Sequence, residues 1–158
     1  ADRLPRSGAS GASRGALEET ERLVTRIDKT YGDRLAETRR KDLLKLQARI
    51  AVAAGKGGKQ VKVLKQIVDL DPMDGEALML LGKHYARNKN YEKAAFYYER
   101  AAGLEGHEAD AKVRHAELLV QQGKYKEAIP LLRSAQKIKH RDNVEQYLEQ
   151  LEEIARSS

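Results

Sequence analysis

The chain has 158 residues, a net charge of +6, 41% hydrophobic and 34% charged residues, and neither cysteine nor tryptophan. Without cysteine there is no disulfide framework, thiolate metal site or cysteine nucleophile to consider. No run approaches the roughly 18 apolar residues of a membrane span and no signal pattern opens the chain, so the sequence reads as soluble and assigns no compartment. The length suits one domain, and a start at Ala1-Asp2 without methionine reads as a processed or excised chain.

Residues 1–15, with Pro5, glycines, serines and arginines, read as a flexible tail. Residues 16–40 form a helical extension. Leu17, Thr20, Val24, Ile27 and Tyr31 fall at helical spacing, and Gly32-Asp33 marks a stop and restart before a second helix from about Arg34 into Ala54. The following Ala53–Gln60 segment superficially resembles a phosphate-binding loop. It lacks the Ser or Thr that would ligand magnesium and follows a helix, so it reads as a glycine-rich inter-helix turn.

From Lys41 the sequence repeats every 34 residues without a gap: 41–74, 75–108 and 109–142. Ala48, Gly82 and Ala116 stand in phase inside the first helix of each unit, where a small residue lets the partner helix bring Ala94 or Ala128 close. Turns at Gly55–Gly58, Asn88–Asn90 and Gln122–Lys124 make each pair antiparallel. Pro130 places the start of the last paired helix near Tyr125 or Lys126. Residues 143–158 form a capping helix with Val144, Tyr147, Leu148, Leu151 and Ile154 as its apolar stripe, glutamates outside, and Asp142 with Glu145 as a capping-box-like start.

The middle unit reads Leu78-x-x-Leu81-Gly82-x-x-Tyr85, then Tyr91, Ala94, Tyr98 and Ala101. Ala116, Leu119, Gly123, Tyr125, Ala128, Leu132 and Ala135 follow in the third, and Leu44, Ala48, Ala51, Leu64, Ile67 and Pro72 in the first. This resembles the tetratricopeptide repeat family, with Lys112 where the family prefers tryptophan and Gln60 where it prefers a small residue. The resemblance implies an all-α, right-handed α-solenoid of three helix-turn-helix repeats with N-terminal extra helices and a C-terminal cap.

The resemblance also implies that first helices line a groove for a peptide or partner segment. Transferred residue by residue, it gives Lys45, Arg49, Met79, Lys83, Arg87, Val113, Glu117 and Val120 as partner-binding positions. Lys45/Arg49 and Lys83/Arg87 are i, i+4 cation pairs able to hold an acidic segment. Asp42, Glu76 and Asp110 open the first helices, where a negative charge suits the helix dipole. The set with which some relatives grip a chaperone's terminal carboxylate maps to Lys45, Arg49, Leu80, Asp110 and Arg114, without its central asparagine, which disfavours that role.

No pair among His84, His107, His115 and His140 has metal-ligand spacing, and the serines offer no buried nucleophile. The expected function is a protein-protein interaction scaffold, not an enzyme, with no cofactor or metal. One alternative is self-association through the N-terminal segment, with the chain a homo-oligomer. Another is nucleic-acid binding, against which the groove has no interleaved aromatics for base stacking.

Overall fold

A computed structural model describes residues 8–34 and 36–157, which form eight α-helices, one 3-10 turn and, among the described residues, no strand. They fall into two units, 1–72 and 73–158.

In the first unit, α1 spans Gly8–Tyr31, a 3-10 turn Gly32–Arg34, α2 Glu37–Ala53 and α3 Gly57–Leu70. Helix α1 therefore reaches into the stretch expected to be a flexible tail. Once Leu17 onward is nucleated, each added residue gains a hydrogen bond for little further ordering, and Ala9, Ala12 and Ala16 favour that extension. Residues 1–7 lie outside the described residues. Gly32 does end α1: Arg40 Nη1 donates to the Gly32 carbonyl at 3.1 Å, fixing the turn into α2.

The face that α1 buries differs from expectation. Val24 is buried and Leu17, Glu21 and Asp28 half-buried, whereas Thr20, Ile27 and Tyr31 are exposed. Glu21 explains the rotation, because it accepts from Lys56 at 2.7 Å and also pairs with Lys59, both just beyond α2. These two lysine bonds lower its pKa to about 2. The Gly55–Gly58 turn thus joins two helices and anchors a third. Helices α2 and α3 bury Leu44, Ala48, Ile50, Ala51, Val63, Leu64 and Ile67.

In the second unit, α4 (Gly75–Arg87) pairs with α5 (Tyr91–Ala102), α6 (Glu108–Gln121) with α7 (Tyr125–Ile138), and α8 (Asp142–Ser157) packs on α7. Asp74 caps α4 by accepting from the Ala77 amide at 3.0 Å, and Asn90 caps α5 by accepting from the Lys93 amide at 3.2 Å. Three inter-helix turns place a left-handed residue at the same point of the repeat: Gly55 (φ 69°), Lys89 (φ 57°) and Gly123 (φ 74°). Only Lys89 takes that conformation with a side chain.

Gly82 is needed for a closer reason than expected: its nearest neighbour is the Tyr98 ring, not Ala94. A Cβ at position 82 would stand 2.5 Å from Tyr98 Cε1 and 2.6 Å from Cδ1. Lys112, at the tryptophan position, is accommodated because its Nζ donates to Ser134 Oγ on α7 at 2.6 Å.

Helix α8 buries Val144, Leu148 and Leu151 against Ala116, Leu119, Ala128 and Leu132. Its capping box does not form. Glu145 instead accepts from Gln136 Nε2 at 2.7 Å, and Gln136 also donates to the Arg141 carbonyl and accepts from the Arg141 amide, each at 3.0 Å. Glu152, expected to face outward, accepts twice from Arg133 at 2.7 and 3.0 Å. Both contacts reach back to α7, so the polar edge of α8 fastens it as its apolar stripe does.

Candidate functional site

Helix α6 sets the geometry of the second unit's exposed face. Asp110, Val113, Arg114 and Glu117 recur at i, i+3, i+4 and i+7, so one stripe carries both charge and an aliphatic side chain. Met79 from α4, Arg141 from the turn before α8, and Asn143, Val144 and Tyr147 from α8 complete a groove of about 530 Å³. A second hollow of about 310 Å³ is lined by Lys83, Ala86, Arg87, Lys89, Tyr91, Tyr98, Arg114, Glu117, Leu118 and Gln121. Arg114 and Glu117 belong to both, so their pair forms the ridge between them.

Electrostatics distinguish the two. In the first, Asp110 pairs with Arg141, and Arg114 Nη1 donates to Glu117 Oε2 at 2.9 Å. The cations there are matched by carboxylates, and the remaining lining is the apolar surface of Met79, Val113, Val144 and Tyr147. The Glu117 bond raises the pKa of Arg114 above its ordinary value, fixing its charge. Burial, reinforced by Glu117, pushes the Tyr147 phenol up, so its hydroxyl remains a donor. The second hollow holds Lys83, Arg87 and Lys89 beside the shared pair, with Glu117 as its one carboxylate.

Of the residues expected from sequence, Met79, Val113 and Glu117 line the first hollow, and Lys83, Arg87 and Glu117 the second. Val120 lines neither; it packs against the α6–α8 core. Lys45 and Arg49 stand one turn apart on α2 in the first unit, Lys45 half-buried and Arg49 exposed. Sequence reasoning missed Arg141, Asn143 and Tyr147, because α8 was read only as a cap. Its signal was Tyr147, a residue with a polar tip inside an otherwise aliphatic stripe.

Of the carboxylate-gripping positions in this unit, Asp110 and Arg114 are spent on internal ion pairs. Two of the histidines have structural places. His115 is packed, with burial lowering its pKa, and His107 lies against Gly75, where a Cβ would stand 2.2 Å from the ring. Among the described residues no group of three His, Asp or Glu side chains is placed to hold a metal ion, and no helix is long and apolar enough to cross a membrane.

The family model described as anaphase-promoting complex, cyclosome, subunit 3 matches residues 59–135 and 87–148. A search of curated proteins gives no match. Among solved structures, the N-terminal domain of stress-induced protein-1 (STI-1) from C. elegans is similar at 17% identity and TM-score 0.67, covering 75% of this chain and 98% of that one. MamA is similar at 18% identity and TM-score 0.66, over 98% of both chains. The TPR domain of P58(IPK) aligns at 17% identity and TM-score 0.70, over 90% of this chain and 43% of that one. At these identities the likeness is one of fold. With the in-phase repeats, antiparallel helix pairs and family match, it makes this an all-α chain that belongs to the tetratricopeptide repeat family of helical scaffolds.

Proposed function

We propose that the chain is a protein-protein interaction scaffold, not an enzyme, and that its second unit holds an extended partner segment carrying apolar and acidic side chains. The observation that carries this is the pair of hollows divided by the Arg114–Glu117 ridge. One offers Met79, Val113 and Tyr147 to an aliphatic or aromatic side chain. The other offers Lys83, Arg87 and Lys89 to a carboxylate. Val120 supports the first from beneath, and the Lys45/Arg49 pair on α2 gives the first unit a cationic patch of the same kind.

Nucleic acid fits this face less well. Tyr98 is only 3% exposed, and Tyr91 and Tyr147 line separate hollows, so no run of rings is presented to stack successive bases. The test is a library of short acidic-apolar peptides screened by fluorescence anisotropy, followed by charge reversal. Lys83→Glu with Arg87→Glu should cost at least about tenfold in affinity. Helical circular dichroism should not change, since exposed substitutions rarely shift stability by more than about 0.5 kcal/mol. Equal losses on reversing Lys93 and Arg100 of α5 would indicate diffuse attraction and sink the reading. So would salt-sensitive binding that favours RNA over every peptide.

A further inference from the structure

Helix α1 has two apolar faces, and only one is used. Leu17, Glu21, Val24 and Asp28 face the rest of their unit. About a quarter-turn away, Ala16, Thr20, Leu23, Ile27 and Tyr31 form a second stripe. Leu23, Ile27 and Tyr31 are 47%, 43% and 54% exposed. Thr20 adds to its apolar character, because its hydroxyl donates to the Ala16 carbonyl at 2.7 Å and is spent within the helix. The spacing of Ala16, Thr20, Leu23 and Ile27, alternately four and three residues, is that of a helix-helix seam.

One edge of this stripe is self-complementary. Glu19 and Arg26 flank it on the same side, seven residues apart and opposite in sign. We propose that α1 pairs antiparallel with α1 of a second copy, about a two-fold axis between residues 22 and 23.

That axis brings Glu19 of each copy opposite Arg26 of the other, so both charge pairs form at once. It sets Leu23 beside its own counterpart and lowers Ile27 between Ala16 and Thr20 of the partner, a large side chain over two small ones. A parallel pair would set Glu19 beside Val24 and Arg26 beside Tyr31 of the partner and form neither charge pair, so the charge pattern selects the antiparallel arrangement. The pairing uses α1 alone and stands apart from the reading of the second unit.

The whole chain should show a concentration-dependent monomer-dimer equilibrium in sedimentation equilibrium over about 1–500 μM, as a short seam implies weak association. Leu23→Glu with Ile27→Glu should abolish it at unchanged helical signal. Glu19→Arg and Arg26→Glu should each weaken self-association, whereas an equimolar mixture of the two variants should dimerise, since every cross pair is again attractive. Because the chain has no cysteine, single introduced thiols report the direction. Leu23→Cys should oxidise to a covalent dimer. Ile27→Cys should not, its counterpart lying about 13 Å away along the antiparallel axis. A wild-type chain that stays monomeric, a mixture that fails to dimerise, or efficient cross-linking at position 27 would each overturn the proposal.

Discussion

Gly82→Ala is the smallest change that interrogates the second unit's packing. The added Cβ would stand 2.5, 2.6 and 3.0 Å from Tyr98 Cε1, Cδ1 and Cζ, against about 3.5–4.0 Å for an ordinary carbon-carbon contact. One of the two must therefore retreat by roughly an ångström. Tyr98 has little room to do so, being 3% exposed and clustered with Ala94 and Leu118, both fully or almost fully buried. Overpacking of this kind costs about 1–3 kcal/mol, and replacing a helical glycine returns about 1 kcal/mol. The net expectation is a loss of up to about 2 kcal/mol, or a few degrees in thermal midpoint at about 2–4 °C per kcal/mol.

Tyr98→Leu supplies the control. It removes the ring that the new methyl strikes, so in that background Gly82→Ala should become neutral or stabilising by up to about 1 kcal/mol. Urea unfolding of the four proteins in the cycle should give a coupling of about 1–3 kcal/mol, as expected of residues in direct contact. A higher midpoint for Gly82→Ala alone, or coupling below about 0.5 kcal/mol, would mean that the ring does not lie over residue 82 and that the helix pair is seated differently.

Two further outcomes are expected. Lys89 holds φ at 57° with a side chain, where the in-phase turns use Gly55 and Gly123. Lys89→Gly should therefore stabilise the chain by about 0.5–1 kcal/mol, the left-handed strain relieved less the added unfolded-state entropy, and Gly123→Ala should destabilise it; thermal melts of both decide. Burial holds the His115 pKa below its ordinary 6.5, with Glu99 and Glu127 opposing only in part. The folded state thus binds a proton less readily than the unfolded one. Its contribution is present above 6.5 and lost as pH falls from there toward the folded pKa. His115→Leu should show a flatter midpoint between about pH 7.5 and 5.5 than wild type, and parallel curves would refute the assignment.

How much was legible in the sequence follows from what periodicity encodes. A 3.6-residue pattern says which face of a helix is apolar, and a 34-residue period says which faces are equivalent, so the helix pairs, their turns and the small residues at 48, 82 and 116 could all be read. Neither pattern says which neighbour covers a face. The sequence therefore offered Ala94 as the contact of Gly82 when the contact is Tyr98, two buried residues one turn apart on the same face of α5. It also gave α1 a single stripe when Glu21, drawn to Lys56 and Lys59, turns Leu17 and Val24 inward and leaves Leu23 and Ile27 outside.

The candidate site shows the same limit from the other side. Met79, Lys83, Arg87, Val113 and Glu117 were found because they occupy repeating positions on first helices. Arg141, Asn143 and Tyr147 were not, because they lie where the repeat ends and no in-phase copy marks them. What carries them into the groove is a polar fastening: Gln136 binds the Arg141 backbone and Glu145, seating the start of α8. A side-chain amide satisfied by three groups in the next turn has no periodic signature, since its partners are set by the path of the loop and not by helical phase. In a repeat protein the termini are where the pattern stops describing the structure. Here one terminus finishes the groove and the other, α1, leaves a self-complementary face uncovered.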